Sequence, residues 1–453
     1  MSAAARFFDL LTRGGATACL IRIGLLIALP VASISSSAAG VVFWLLTIVC
    51  LMHVLQRRPL DVLPLSPGML WLAALASLLP LALNIGSVWW YGLAARNIAW
   101  TPLLAFVVIM IATRRVSNAI EFWLAGAVLG AATVFAMTTV AVLWFHHDRP
   151  SLTMNALLYG KMALLAMIVC GWGLRVIGIP WRRTVLWLAI LAGLFALVTT
   201  GYRGGFLVLP VVVIAALAIG SNRTGGNQIS ANRIGKSGIK VWRLSLIIAG
   251  AVAVITIAGS NVAMLERMQK ASTELELYQR GEIKNSSIGS RLSMWVAAAT
   301  IYRDKPVFGI GTHRFHDVSK TMQERGLYPR DAKLYRHAHN SYLNVAAEYG
   351  TIGIVVMLAA LLALLRLCGS LAPPVRSLAL LTLSGWLLMA LTNDIFAHQN
   401  LLRMLVLSIA VAVGGGLAQS AIVRAATRQN DRSTGRSTER SIDFSAERST
   451  EPA

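Results

Sequence analysis

Twelve apolar stretches constrain this chain more than any other feature, because each is close to the length of a helix that crosses a lipid bilayer. A helix needs about 17–25 residues to cross a hydrocarbon core of roughly 30 Å. The composition agrees, since 56% of the residues are hydrophobic and 13% are charged, with a mean hydropathy of +0.66. The sequence therefore predicts an all-α polytopic membrane protein with about twelve transmembrane helices. The stretches lie near residues 16–34, 38–55, 67–84, 98–112, 119–145, 156–174, 184–200, 204–220, 244–262, 351–368, 378–395 and 401–423.

Arginine residues give these helices a direction. If the N-terminus is cytoplasmic, turns on that side carry pairs such as Arg114 and Arg115, whereas the opposite short turns carry almost no positive charge. The positive-inside rule then predicts that both termini lie in the cytoplasm. The flanks of the first stretch resemble a cleaved signal peptide, but a second stretch follows at once and favours a retained helix. The formal charge of +22 is explained by anionic membrane lipids, so no nucleic-acid partner is expected.

The pattern divides the chain into four parts. Residues 1–262 are predicted to hold transmembrane helices 1–9, and residues 351–423 to hold helices 10–12. Residues 263–350 are predicted to form a large, partly helical loop outside the cytoplasm. Residues 424–453 contain RST triplets and few apolar residues, so a disordered cytoplasmic tail without a catalytic role is expected.

The external loop is too patterned to be a simple connector. Residues 263–280 and 290–303 have apolar residues at helical spacing, which predicts two amphipathic helices on the membrane surface. Residues 306–311 (PVFGIG) then predict a tight turn. Between residues 263 and 341 there are thirteen Lys or Arg and eight Asp or Glu. This surplus of positive charge on the outer face favours an anionic ligand.

Residues 336–353 (RHAHNSYLNVAAEYGTIG) are predicted to form a short interfacial helix before a membrane span. Asn340 or Ser341 can cap this helix by accepting a hydrogen bond from a free backbone amide. Tyr342 is expected on its apolar face, and Asn344 and Glu348 on its polar side. Gly350 and Gly353 are expected to let the backbone turn and pack closely. This arrangement would hold His337 and His339 at the boundary between water and lipid.

The same residues resemble a family. His339 and Asn340, followed after nine residues by Gly350 and after two more by Gly353, are similar to the signature of bacterial O-antigen ligases. Further similarity lies in TGYRGGF at 200–206, in SRLSMW from Ser290 and in PVFGIG. The resemblance implies a fold like the C-type membrane glycosyltransferases. It also implies an inner-membrane enzyme whose active site faces the periplasm. Such enzymes transfer a glycan from undecaprenyl pyrophosphate-linked O-antigen to the lipid A-core oligosaccharide.

Three alternatives stay open. O-antigen polymerases and protein O-oligosaccharyltransferases carry similar motifs and differ in their acceptors. A transporter or flippase of lipid-linked glycans is an alternative of another class. Transporters often have repeated halves and charges at the middle of the bilayer, whereas this sequence shows no convincing repeat and its charges cluster toward the outer face.

The resemblance assigns His339 as the general base toward the acceptor sugar, and Arg203 and Arg291 as the clamp on the pyrophosphate. The chemistry agrees, because a guanidinium is permanently charged and binds phosphate oxygens in a forked geometry. An imidazole has an unperturbed pKa near 6.5 and accepts a proton around neutral pH. Arg291 also begins a predicted helix, where positive charge opposes the helix dipole and favours an external anion. Metal-independent transfer with inversion and without a cofactor is expected.

Other residues are candidates for supporting roles around the site. Lys161 lies just inside a predicted span, where a buried ammonium is usually functional, although it can also extend toward water. Asp394, His398 and Arg403 surround the last external turn and could close the site, with an Asp394–Arg403 pair as the structural alternative. A metal site at residues 337–339 is disfavoured because suitably spaced carboxylates are lacking. The remaining supporting candidates are His337, Arg336, Asn340 and Tyr342.

Overall fold

The computed structural model describes residues 3–56, 65–145, 152–177, 179–202, 204–206, 209–210, 273–274, 276, 280 and 286–421. These residues form thirteen α-helices and two short 3₁₀ helices, with no strand among them. The α-helices are α1 Ala3–Thr12, α2 Ala16–Ala32, α3 Ser36–Gln56, α4 Pro67–Trp90, α5 Ala105–Arg115, α6 Ala119–Leu143, α7 Ala156–Val176, α8 Pro180–Thr199, α9 Ser287–Asp304, α10 Phe315–Glu324, α11 Ser341–Gly369, α12 Pro373–Thr392 and α13 Gln399–Ala421.

Eight of these helices are long and apolar enough to cross a membrane, namely α3, α4, α6, α7, α8, α11, α12 and α13. The prediction of an all-α polytopic membrane protein is therefore confirmed. Two predicted spans are shorter than expected within the described residues. α2 has 17 residues, and α5 has 11 because a 3₁₀ turn at Thr101–Leu104 occupies the start of the predicted stretch. The stretch at 244–262 and most of 204–220 lie outside the described residues, so the count of twelve stays a prediction.

The centre of the bundle is formed by α7 and α13. In the most apolar part of α7, 78% of the residues are buried inside the protein, and in α13 the share is 83%, against 33% in α3. A helix that is apolar on all sides and buried on all sides belongs to a core. The peripheral helices instead present leucine and valine side chains outward, as a lipid-facing surface requires. Close packing of α6 against α2 depends on Gly126, whose Cα approaches the backbone of Leu25 and Leu26.

α11 contains a break at Gly350, and residues 306–311 supply the hydrogen-bond partners that the helix lacks there. At Gly350 the backbone leaves the helical region, with φ 63° and ψ −155°, so the hydrogen bonds on either side of this residue are lost. Residues 306–311 cross the break and replace them. Ile310 N–H and Gly311 N–H donate to the carbonyls of residues 347 and 348, at 3.0 and 2.8 Å, and residues 351 and 352 donate to Pro306 and Val307. Irregular backbone is tolerated at membrane depth only when protein satisfies it.

This crossing is tight enough to require glycine on both sides. A Cβ at Gly309 would meet the backbone of Glu348 and Tyr349, and a Cβ at Gly350 would meet the carbonyl of Val307. The predicted turn at 306–311 and the predicted change of direction at Gly350 therefore form a single joint between the external loop and α11.

The described residues between α8 and α11 have a small core of their own. α9 and α10 bury apolar side chains such as Met294, Ile301 and Phe315 against each other and against Ala347 of α11. The helix predicted at 290–303 is present as α9, and its position on the membrane surface stays a prediction. The predicted helix at 263–280 lies almost entirely outside the described residues, and so does the C-terminal tail.

The first turns of α11 differ from the predicted interfacial helix. Asn344 and Glu348 were expected on an exposed polar side, but both are 5% exposed. They are buried because they serve backbone groups of the loops packed on this helix: Asn344 Oδ1 accepts from Ala338 N–H at 3.1 Å, and Glu348 Oε1 accepts from His313 N–H at 3.1 Å. The polar side chains in this helix therefore bind the backbone of neighbouring loops and do not contact solvent.

Candidate active site

The loop that precedes α11 is held by hydrogen bonds on almost every residue. Asn340 Oδ1 caps the helix by accepting from Tyr342 N–H and Leu343 N–H, at 3.0 and 3.1 Å. Trp295 Nε1 donates to the carbonyl of Ala338 at 3.1 Å. Ser341 donates twice to the carbonyl of Asn393, through its amide and its hydroxyl. The loop is thus fixed to α9, to α11 and to the turn between α12 and α13.

His339 has an unusual backbone within this loop. Its φ is +50°, in the left-handed region that residues other than glycine seldom adopt. Such a conformation persists only where the surroundings impose it, and it is found preferentially at functional sites.

Three imidazoles gather here, and we call His337, His339 and His398 the histidine cluster. The ring centroids of His337 and His339 are 4.3 Å apart, and those of His337 and His398 are 5.1 Å apart, both in edge-to-face arrangements. Tyr335 packs on the far side of His339 at 5.2 Å. His398 approaches from the turn before α13, which brings this turn into contact with His337. Within the described residues no group of three His, Cys, Asp or Glu side chains is arranged to hold a metal ion.

A buried cation lies beside this cluster. Lys161 is 2% exposed, and its Nζ donates to Asn393 Oδ1 at 2.7 Å. The same ammonium is 5.7 Å from the ring centroid of Tyr202, whose hydroxyl accepts from Asn393 Nδ2 at 3.4 Å. Gly160 makes this packing possible, because a Cβ there would meet the side chain of Tyr202 at 2.7 Å. Lys161 therefore does not extend toward water.

Arg291 adds a second positive charge. It lies in the first turns of α9, close enough to act electrostatically on Lys161, Tyr202 and His339. We call Lys161 and Arg291, with the histidine cluster beside them, the cation pocket. Among the described residues, no carboxylate forms an ion pair with Lys161. Lys161 therefore brings positive charge into a largely desolvated place without a carboxylate bound to it in this part of the structure.

Burial and these nearby positive charges together lower the proton affinity of the imidazoles. Burial, followed by the neighbouring His337 and Arg291, lowers the pKa of His339 to about 3. Burial and then Lys161 lower the pKa of His337 to about 4 and that of His398 to about 3. All three rings are therefore neutral at physiological pH. The sequence suggested an ordinary pKa near 6.5 for His339, and the difference comes from burial and from cations supplied by distant parts of the chain.

Arg203 lies outside the described residues, although its neighbours are described. Tyr202 packs beside Lys161, and a Cβ at Gly204 would meet the side chains of Thr392 and Tyr202. Tyr202 and Gly204 thus lie close to each other, and Tyr202 lies beside Lys161.

The other predicted residues have separate positions. Arg336 is exposed and acts electrostatically on His313. Tyr342 donates its hydroxyl to the carbonyl of Leu387 at 2.8 Å, which ties α11 to α12. Gly353 packs against Tyr349 one turn earlier in α11.

The predicted Asp394–Arg403 pair is wrong. Asp394 is buried and caps its own turn, accepting from Phe396 N–H and Ala397 N–H at 3.0 and 3.3 Å. Burial raises the pKa of this carboxyl to about 6, which these hydrogen bonds partly oppose. Arg403 instead donates to the carbonyl of Ser36, beneath Gly40 of α3. The backbone amides of the turn therefore bind the Asp394 carboxylate, although Arg403 lies close to it in sequence.

Two residues near the pocket were not foreseen. Asn393 joins Lys161 to Tyr202, and His313 is close enough to His337 to lower its pKa. His313 also has a positive φ, of 57°, and follows the joint at residues 306–311. A histidine two residues after a glycine-rich turn is the one signal that could have drawn attention to it.

One comparison with known proteins bears directly on this geometry. Residues 187–358 match the family model described as O-antigen ligase. This O-antigen ligase segment is less than half of the chain, and it contains Arg203, Arg291 and His339. The resemblance found in the motifs is confirmed over this segment, and the match supports an activity of the O-antigen ligase or polymerase type. Lys161, Asn393 and His398 lie outside the O-antigen ligase segment, so the chain completes the pocket from both sides of the match.

A curated relative gives weaker information. A Haemophilus influenzae protein described only as uncharacterized is 22% identical over 170 residues, which cover 38% of this chain. The aligned part spans 39% of that relative's length.

Proposed function

We propose that this protein is an O-antigen ligase, which transfers a glycan from undecaprenyl pyrophosphate to a sugar hydroxyl of lipid A-core. The observation that carries the proposal is the cation pocket, in which fixed positive charge and a neutral imidazole lie together within a membrane protein. The match of the O-antigen ligase segment supports the same reaction class. We further propose that the pocket opens to the periplasm in the inner membrane, where both lipid-linked substrates would be present.

The pyrophosphate of the donor is the proposed anion. Arg291 and Arg203 would bind its oxygens in forked hydrogen bonds, and Lys161 would contribute an ammonium from the buried side. Charge that develops on the leaving pyrophosphate is stabilised most by cations that are already in place and shielded from water. These residues provide the stabilisation that the reaction needs, so we propose transfer without a metal ion.

The acceptor hydroxyl is the proposed nucleophile. Its oxygen attacks the anomeric carbon of the donor sugar, while His339 takes the hydroxyl proton and the bond between that carbon and the pyrophosphate oxygen breaks. The products are the extended lipid A-core glycan and undecaprenyl pyrophosphate. One displacement of this kind inverts the configuration at the anomeric carbon.

Donor binding would also prepare the base. The low pKa of His339 arises partly from Arg291 and Lys161, and a bound pyrophosphate offsets these charges. An opposite charge nearby favours the protonated imidazole, so the pKa of His339 would rise toward neutral when the donor is present. His339 would then be a weak base alone and an effective one in the donor complex.

A purified system tests the reaction class. We expect the protein to join glycan from undecaprenyl pyrophosphate to rough lipopolysaccharide in detergent or vesicles, without nucleotide and in the presence of EDTA. Elongation of the glycan on undecaprenyl pyrophosphate, with none on lipopolysaccharide, would instead identify a polymerase. Movement of the donor between leaflets without a new glycosidic bond would identify a transporter.

His339→Ala tests the assigned base. We expect transfer to fall at least about 100-fold, as general-base catalysis contributes that much or more, while the protein remains folded. The matched control is His316→Ala, because His316 is another external histidine, is partly exposed and pairs with Asp317. The control should retain full transfer. Full activity of His339→Ala would remove His339 from the mechanism.

A further inference from the structure

His337 makes a specific contact with the backbone of the proposed base. Its Nδ1 lies 3.3 Å from the backbone nitrogen of His339 and accepts that N–H. The bond spans two residues, as in a turn where an Asn or Asp side chain accepts the N–H two residues later. Such local side-chain bonds stabilise non-helical backbone.

The ring of His337 is held in the orientation that this bond needs. It lies between the imidazoles of His339 and His398, with centroids 4.3 and 5.1 Å away. A nitrogen that accepts a hydrogen bond carries no proton, so the neutral ring must hold its proton on Nε2. The low pKa of His337, caused by burial and then by Lys161 and His313, keeps it in this acceptor form.

His339 requires such support. Its positive φ is unfavourable for a residue with a side chain, and neighbouring bonds must impose it. The adjoining residues are fixed through Ala338 and Asn340, and within the described residues His337 Nδ1 is the acceptor for the amide of His339 itself.

We propose that His337 is a positioning residue, whose Nδ1 holds the His339 backbone in the left-handed conformation that sets its imidazole against Tyr335 and the histidine cluster. This inference rests on the proposed role of His339 as base. His337 itself would neither carry the acceptor proton nor bind phosphate, so a different acceptor atom at the same place should replace it.

Three variants of His337 separate these roles. The Oδ1 of asparagine falls close to the place of Nδ1, whereas the polar end of glutamine reaches toward the place of Nε2. We expect His337→Asn to retain transfer within about threefold of wild type, and His337→Gln and His337→Ala to lose at least tenfold in kcat with little change in KM. The asparagine rescue is a result that a proton carrier or a phosphate ligand would not give. Equal losses in Asn and Ala, or rescue by Gln and not by Asn, would overturn the proposal.

The same series in a His339→Ala background completes the test. If His337 acts through His339, then adding His337→Ala to His339→Ala should cause no further loss, since the two residues act as a unit. A further tenfold loss would show an independent role and overturn the proposal. Full activity of His339→Ala alone would instead overturn the proposed role of His339 as base, and this inference with it. The two failures are therefore distinguishable. Thermal unfolding in detergent, measured on each variant, separates loss of fold from loss of positioning.

Discussion

Two buried cations in this protein have opposite surroundings. Arg22 of α2 is 1% exposed and Lys161 of α7 is 2% exposed, so both have lost nearly all contact with solvent. Burial of charge is costly unless polar groups replace the lost water. The two cations differ in the number of hydrogen-bond acceptors around them. This number distinguishes a structural cation from one that is available to a ligand.

Arg22 has a full set of partners. Its guanidinium donates to the carbonyls of Leu11, Arg13 and Ser117, and also to the Ser117 hydroxyl, at 2.5–3.4 Å. The ring of Phe122 covers its face at 5.9 Å. Arg22 therefore joins α2 to the C-terminal end of α1 and to the turn before α6. Backbone carbonyls accept most of the hydrogen bonds of its guanidinium.

Lys161 has far fewer hydrogen-bond partners. An ammonium can donate three hydrogen bonds, and among the described residues one neutral acceptor, Asn393, is seen for it. Its charged neighbour is another cation, Arg291. The comparison teaches that burial alone does not identify a functional cation. A buried cation with few acceptors and like-charged neighbours is the one that fits an anionic substrate.

Lys161→Met should have the largest effect. We expect glycan transfer to fall about 100- to 1000-fold, because removing one group that stabilises developing negative charge costs that much. Stability should stay constant or rise, since a poorly paired buried charge is removed. Transfer and thermal unfolding are measured on the same preparation. Lys320→Met, at an exposed lysine of α10, is the control and should be silent. If Lys161→Met is strongly destabilised and transfer per folded molecule is normal, then Lys161 is a structural cation like Arg22.

Arg22→Met should show the reverse pattern. Three carbonyls and a hydroxyl lose their donor, so we expect the free energy of unfolding to fall by about 3 kcal/mol. Transfer per folded molecule should be unchanged. Chemical unfolding in detergent micelles gives the first quantity, and activity normalised to folded protein gives the second. Unchanged stability would contradict the structural role of Arg22.

The smallest effect concerns pH. Transfer needs neutral His339, so kcat/KM for the acceptor at saturating donor should decline as pH falls through the pKa of His339. Lys161 is one cause of the low pKa of His339, so its removal raises that pKa. The acid limb of Lys161→Met should therefore move to higher pH, and that of Arg22→Met should stay in place. A limb that does not move in Lys161→Met would show that Lys161 and His339 are not electrostatically coupled in the working enzyme.

Local signals in the sequence were sufficient for much of the site. The cap at Asn340 and the break at Gly350 could be predicted because capping and positive φ depend on a few adjacent residues. The membrane helices could be predicted because length and apolar composition alone define a span. Motif resemblance supplied His339 and Arg291, which the structure brings into electrostatic contact.

Tertiary contacts explain what could not be predicted. Asn344 and Glu348 look like a solvated face, yet they bond to loop amides that fold back onto them. Lys161 meets Asn393 across 232 positions of sequence, and no local pattern indicates such a partner. The error on Asp394 has a local origin instead, because the amides of Phe396 and Ala397, two and three residues later in the chain, bind its carboxylate.

The joint between residues 306–311 and Gly350 also has a consequence for biosynthesis. The segment that bridges the broken helix precedes the break in the chain, so it is synthesised before Gly350. The hydrogen-bond partners that α11 lacks at Gly350 are therefore already part of the chain when this helix is made. Because of this order, the peptide groups at the break need not remain without hydrogen-bond partners in lipid while the protein is synthesised.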